Sequence, residues 1–282
     1  MLHCYMTGNI FDDILNKKAI NPNLRREKMK TMLNLTKKSW LFFLLFFIAF
    51  PACNGRASEN RPGNSSLIRT GESQLTYILP SPKTDGNISV ERALANRRSH
   101  RSFQDRALTA EQLSQILWAA YGITSPMQGQ ALRGGLRTTP SAGASYPLEI
   151  YAIIGNVEGI EQGVYRYIAD GHKIVRVIDR DVRTELTEAA LGQRMVRDAP
   201  VSIFYSVIFS RITGRYGDRG RMYAFMEVGH SAQNIYLQAE ALGLGTCAIG
   251  AFIDNRVRQV LQLPANEEPL YLLPIGHIRS GR

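Results

Sequence analysis

The chain has 282 residues, 44% of them hydrophobic, 9% aromatic and 21% charged, which excludes a collagen-like repeat, a coiled coil and wholesale disorder. Its formal charge of +10 divides evenly, with 8 Lys/Arg against 3 Asp/Glu in residues 1–52 and 26 against 21 in the remainder. A main body so mildly basic, without Lys/Arg runs interleaved with aromatics, argues against nucleic acid, and 3 cysteines with 5 scattered histidines provide neither a disulfide scaffold nor a metal site.

The first element is an address. Trp40 to Ala52 reads WLFFLLFFIAFPA after Lys37 and Lys38, shorter than the roughly 17–25 apolar residues that span a bilayer. A basic flank, a short apolar run and a small residue fit an export signal. Cleavage after Ala52 would leave Cys53 at the new terminus, in the manner of a bacterial lipoprotein signal. Phe50 and Pro51 depart from the usual Leu-small pair there. The expectation is an exported protein attached to the membrane through its amino terminus. The alternative is a start at Met29, with residues 1–28 untranslated and a cytoplasmic protein if the start is misassigned. Residues 53–87 are polar, with one apolar patch at Leu75 to Leu79, and read as a tether.

Residues 88–282 read as one α+β domain. Ser89 precedes a short helix, VERALANR, and Thr109 with Gln112 forms a capping box that opens a helix ending at Gly122. A long loop then passes Gly122, Gly129, Gly134, Gly135 and Gly143. Strands are expected at Leu148 to Ile154 and Val201 to Phe209, with a hairpin around Asp170-Gly171. Asp181 can cap a helix to about Gln193, and residues 220–242 carry helical apolar spacing. Cys247 to Phe252, a helix from Asn255 to Leu261 and a strand from Leu270 to Ile275 complete the chain. The irregular alternation favours α+β over a doubly wound sheet.

Residues 97–103 read RRSHRSF. Arg97, Arg98, Ser99 and Arg101 place guanidinium forks and a hydroxyl where a phosphate could be bound. The competing reading is solvated cations at a helix carboxyl end. GLGTCA at 243–248 fits a dinucleotide fingerprint in letters only, because it follows a helix and enters a strand. Gly243 and Gly245 read instead as a helix stop with positive φ, and Gly250 as room for a flat ligand against the backbone. Cys247 reads as a small buried residue, and His230 as a core or interface histidine.

Taken together, RRSHRSF, TPSAGASYPLEIY (139–151) and EALGLGTCAIGAF (240–252) resemble the flavin-dependent nitroreductase superfamily, and most closely its SagB/ThcOx-type branch. The resemblance covers about residues 90–280. It implies a central, mostly antiparallel sheet flanked by helices, with FMN at a homodimer interface. By the same resemblance, Arg97, Arg98, Ser99 and Arg101 match flavin phosphate and ribityl contacts. Pro140, Ser141, Ala142 and Gly143 match a loop on the isoalloxazine, commonly lent by the other subunit. Ile249 and Gly250 match the backbone facing N5, and Arg279 a second phosphate contact. The branch's Lys-Tyr pair corresponds here to Arg215 and Tyr216, the two candidate catalytic residues.

The expected function is an FMN oxidoreductase moving a hydride between a donor such as NAD(P)H and a small acceptor, quinone-like or nitroaromatic. Two alternatives stand beside it: a SagB-type azoline dehydrogenase acting on peptide heterocycles, and a lipid-anchored flavin-binding module without turnover.

Overall fold

A computed structural model describes residues 67–68, 75–127 and 133–279. The expectations for the export signal, Cys53 and the untranslated start lie outside the described residues. Among those described, no helix is long and apolar enough to cross a membrane, and no cluster of His, Cys, Asp and Glu could hold a metal.

The strands are β1 (Leu67–Ile68), β2 (Thr76–Ile78), β3 (Ile123–Pro126), β4 (Gly135–Arg137), β5 (Leu148–Ile154), β6 (Gly163–Ile168), β7 (Lys173–Ile178), β8 (Val201–Val207), β9 (Leu244–Thr246) and β10 (Glu268–His277). Eight form one sheet in the order β1-β2-β7-β6-β5-β8-β10-β9, and each neighbouring pair is antiparallel. The helices are α1 (Val90–Asn96), α2 (Ala110–Tyr121), α3 (Arg183–Ala189), α4 (Met195–Asp198), α5 (Ser210–Tyr216), α6 (Arg219–Ala241) and α7 (Asp254–Leu261). The α+β expectation, with a central antiparallel sheet and flanking helices, holds.

Strand β8 explains the layering. All seven residues of VSIFYSV are buried, and successive side chains of a strand point to opposite faces. Val201, Ile203, Tyr205 and Val207 join the core beneath α2 and α6. Phe204 points the other way, into the core shared with Leu186 of α3 and Val257 and Leu261 of α7. One face of the sheet therefore carries the two long helices, and the other carries three short ones.

Local chemistry sets the helix ends. Thr109 accepts the Gln112 N–H and Gln112 accepts the Thr109 N–H, closing the capping box of α2. Asp181 accepts the Arg183 N–H at 3.0 Å, although Val182 is the capping position and α3 stops at Ala189. The hairpin at Asp170-Gly171 forms, Gly171 taking a φ of +73°.

Four expectations need correction. Leu75 to Leu79 is not tether: β2 pairs with β7, and Leu75, Tyr77 and Leu79 are buried. Their i, i+2, i+4 spacing is a strand pattern, and each such burial is worth roughly 1.5–3 kcal/mol. The folded body therefore begins before residue 88. The glycine-rich loop after α2 contains the β3–β4 hairpin. The strand near the GLGTCA segment is Leu244–Thr246 rather than Cys247 to Phe252. Within the GLGTCA segment only Gly243 has positive φ; at Gly245 a Cβ would stand 2.7 Å from the His100 Cβ, so that glycine is required by close packing.

Candidate flavin site

The segment after α1 turns alongside β9. Ser99 bridges Thr246 in parallel fashion, the His100 N–H donates to the Thr246 carbonyl at 2.9 Å, and the Arg279 N–H donates to the Ser102 carbonyl at 3.1 Å. Arg97, Ser99, Arg101 and Arg279 are thus gathered by backbone contacts around β9 and the end of β10. The Tyr236 phenol of α6 completes the neighbourhood. It accepts the Ala248 N–H at 2.8 Å, shares a hydrogen bond with Ser99 Oγ at 3.1 Å, and lies beneath the Arg97 guanidinium at 5.3 Å.

Among the described residues, Arg97, Arg101 and Arg279 have no carboxylate partner. Cations gathered without anions suit a phosphate, which guanidinium forks bind with paired, charge-assisted hydrogen bonds. The donor set therefore fits the phosphate end of FMN. The Arg98 guanidinium is turned back toward α1. It donates to the Ala95 and Arg97 carbonyls, which answers the need of a helix end for cationic partners. The capping reading holds for this one residue.

The Ile249–Gly250 pair also divides. Ile249 is buried, and its N–H is spent on the Leu272 carbonyl at 2.8 Å. Gly250 is exposed, and its N–H has no partner among the described residues. An added Cβ at Gly250 would approach nothing closer than Tyr271 at 3.8 Å. Of these two residues, Gly250 is the one whose backbone donor has no partner among the described residues. Cys247 is buried, and burial pushes its thiol up, as expected of a small core residue.

Pro140, Ser141, Ala142 and Gly143 lie on a separate loop that packs against α6. Their loop lies over the buried Glu227 and beside Arg215 and Tyr216. The Arg215 guanidinium reaches the Gly143 carbonyl at 3.4 Å rather than pairing with Asp218, and a Cβ on Gly143 would stand 2.5 Å from the Tyr216 hydroxyl. Tyr216 packs edge-on against Tyr223 at 5.2 Å. Gly143, Ala144 and Tyr146 have φ of +58°, +52° and +45°. Two of these are side-chain-bearing residues in a left-handed conformation, a strain that clusters at functional sites.

Sequence reasoning missed Glu227 and its neighbours. This carboxyl is 2% exposed. It accepts the Tyr121 hydroxyl proton at Oε1, while Oε2 has no aligned donor among the described residues. The Arg137 guanidinium lies over the Tyr121 and Tyr146 rings at 4.3 and 4.6 Å. The detectable signal was a carboxylate in the buried register of α6, between Ala224 and Ser231. His230, by contrast, is exposed, so it is not a core histidine. A cavity of about 920 Å³ is lined by Tyr121, Arg133, Arg137, Glu149 and Tyr167; it does not include the arginines around β9.

Residues 94–277 match the model of the Nitroreductase family. The chain belongs to that family. A nitroreductase-type protein of Methanocaldococcus jannaschii is 48% identical over 189 residues, which cover 67% of this chain and 91% of that protein. The FMN reductase (NADPH) of Bacillus subtilis is 27% identical over 196 residues, 68% of this chain and 66% of the reductase. The microcin B17-processing protein McbC of Escherichia coli is 27% identical over 249 residues, 84% of each chain. The chain is thus an oxidoreductase of the nitroreductase family.

Proposed function

We propose that this chain is an FMN-dependent oxidoreductase that takes a hydride from NAD(P)H and delivers it to a small quinone-like or nitroaromatic acceptor. The observation that carries the reading is the set of guanidinium groups at Arg97, Arg101 and Arg279, which have no carboxylate partner among the described residues. FMN, when bound, supplies the two-electron redox chemistry. The residues supply everything else. Arg97, Ser99, Arg101 and Arg279 would hold the phosphate, and Gly250 would orient the ring edge through its backbone donor. Tyr236 accepts the Ala248 N–H, so its own proton is available to Ser99, which leaves the Ser99 hydroxyl free to donate to a ligand.

Two copies of the chain would share each site. Along α6, Tyr236 serves the arginines, whereas Glu227 underlies the Pro140–Gly143 loop. Nine residues of helix separate them, about 13 Å of axial rise. A ring held at one end by its own chain can take the loop of a second. Met222, Phe225 and Met226 support this, since they form an exposed apolar stripe on α6 with 43%, 48% and 48% exposure. The amino-terminal segment adds a separate proposal, lipid attachment at Cys53, which intact-mass analysis of protein from its native membrane tests.

The purified chain should carry a flavin absorbance spectrum. Replacing Arg97 and Arg101 together with alanine should weaken FMN by roughly 1.5–3 kcal/mol for each charge-assisted hydrogen bond lost. Unchanged affinity in that variant would remove the basis of the assignment.

A further inference from the structure

The Ser141 hydroxyl has one proton to give and two directions in which to give it. Its oxygen accepts the Tyr146 N–H at 2.9 Å, which fixes the loop but leaves the proton uncommitted. On the buried side lies the Glu227 carboxyl, within hydrogen-bonding reach of Ser141. Outward, Ser141 is half-buried between the exposed Pro140 and Gly143. A buried carboxylate oxygen without a donor is costly, and Glu227 Oε2 is such an oxygen. It can be relieved in two ways: it takes the Ser141 proton as a hydrogen bond, or it takes a proton from solvent.

We infer that Glu227 is a positioning residue whose protonation state aims the Ser141 hydroxyl. When Glu227 is ionised, Ser141 donates inward to the carboxylate. When Glu227 is protonated, that acceptor is lost and the Ser141 proton turns outward to a ligand resting on the loop. The inference rests on the proposed reading in which the Pro140–Gly143 loop faces FMN. The proton exchanges with solvent, and no other bond is made or broken.

The surroundings place this change near neutral pH. Burial pushes the carboxyl up to about 7, against the nearby Ser141 hydroxyl, the Tyr121 hydrogen bond and the charge of Arg137, which pull it down. From α2, Tyr121 faces Glu227; its phenol is pushed up by burial, so it remains a donor throughout. From β4 comes Arg137, with Arg133 beyond it, and from the loop's end comes the Tyr146 ring. On α6 itself, Tyr223 packs against Tyr216 and His230 is exposed. Tyr121 is fixed as a donor, so among the described residues Glu227 is the group here whose state changes.

The test titrates FMN into the full-length apoprotein by flavin fluorescence quenching, between pH 5 and 9, for wild type, Glu227→Gln and Ser141→Ala. Wild-type affinity should fall three- to tenfold as pH rises through about 7, the size of one neutral hydrogen bond. Glu227→Gln keeps a neutral group beside Ser141 and should stay near the tighter, low-pH affinity. Ser141→Ala should be weaker and lack the step. The second ionisation of the FMN phosphate, near pH 6, is common to all three and cancels in their comparison. Parallel profiles for wild type and both variants would overturn the inference while leaving FMN binding intact. Absence of FMN binding in every protein would overturn both this inference and the reading beneath it. Should Glu227→Gln not fold, Ser141→Ala against wild type decides alone, since a step that survives loss of the hydroxyl refutes the switch.

Discussion

The Tyr236 hydroxyl accepts the Ala248 N–H at 2.8 Å, so one phenol ties the backbone before Gly250 to the segment that carries Arg97 and Ser99. Replacing Tyr236 with phenylalanine keeps the ring beneath Arg97 but removes both hydrogen bonds. Flavin affinity should fall by about 1 kcal/mol for each bond lost, with little change in melting temperature because the phenol is only half-buried. Equilibrium titration beside a thermal melt checks this; equal affinities would remove Tyr236 from the site.

Glu227 should also be visible in the apoprotein's stability. Its carboxyl sits at about 7 in the fold, above the ordinary value near 4.3. A raised folded value means that the stabilising contribution is complete below about pH 4.3 and is lost as pH rises through about 7. The melting temperature of wild type should therefore drop, relative to Glu227→Gln, across that window. His172 and His277, both lowered by burial, act in each protein alike. A constant difference between the two melting curves from pH 4 to 8 would refute this titration.

The α6 stripe predicts assembly. Replacing Phe225 and Met226 together with glutamate should convert a dimer to a monomer and lower FMN affinity, because the loop of the second copy is removed. Analytical ultracentrifugation of wild type and variant measures it. A monomeric wild type that binds flavin fully would rule out shared sites.

Arg215 separates the reductase reading from azoline oxidation. A lysine here could lose its proton and act as a base, whereas a guanidinium stays charged. The Arg215 side chain also spends itself on the Gly143 carbonyl. Wild type should reduce quinones or nitroaromatics with NAD(P)H and leave azolines unoxidised, and Arg215→Lys should be the variant that gains any azole formation. Efficient azole formation by wild type would overturn this assignment.

Much of the fold was legible because it obeyed local rules. The Thr109 capping box and the six apolar residues of the seven in β5 are complete within their own segments. The tether expected at 75–79 failed because three apolar residues spaced by two are too short a signal, and their partner strand lies a hundred residues away. The site divided along the same line. Motif residues identified the arginines, but no motif reveals that Arg98 turns back on α1 or that the Ile249 N–H is consumed by Leu272. Those are outcomes of packing. Glu227 was overlooked because a single glutamate on a long helix ordinarily faces water, and only the buried register of α6 shows otherwise.

The pairing of β2 with β7 governs where this protein can safely be shortened. A version beginning at residue 88 would strip β7 of its neighbour along Lys173, Ile174 and Val175, exposing a row of amides and carbonyls that invites other chains to add on. It would also unroof Tyr165, against whose ring Tyr77 packs at 5.8 Å. Aggregation of such a truncated product would come from that raw edge, and would say nothing about the flavin.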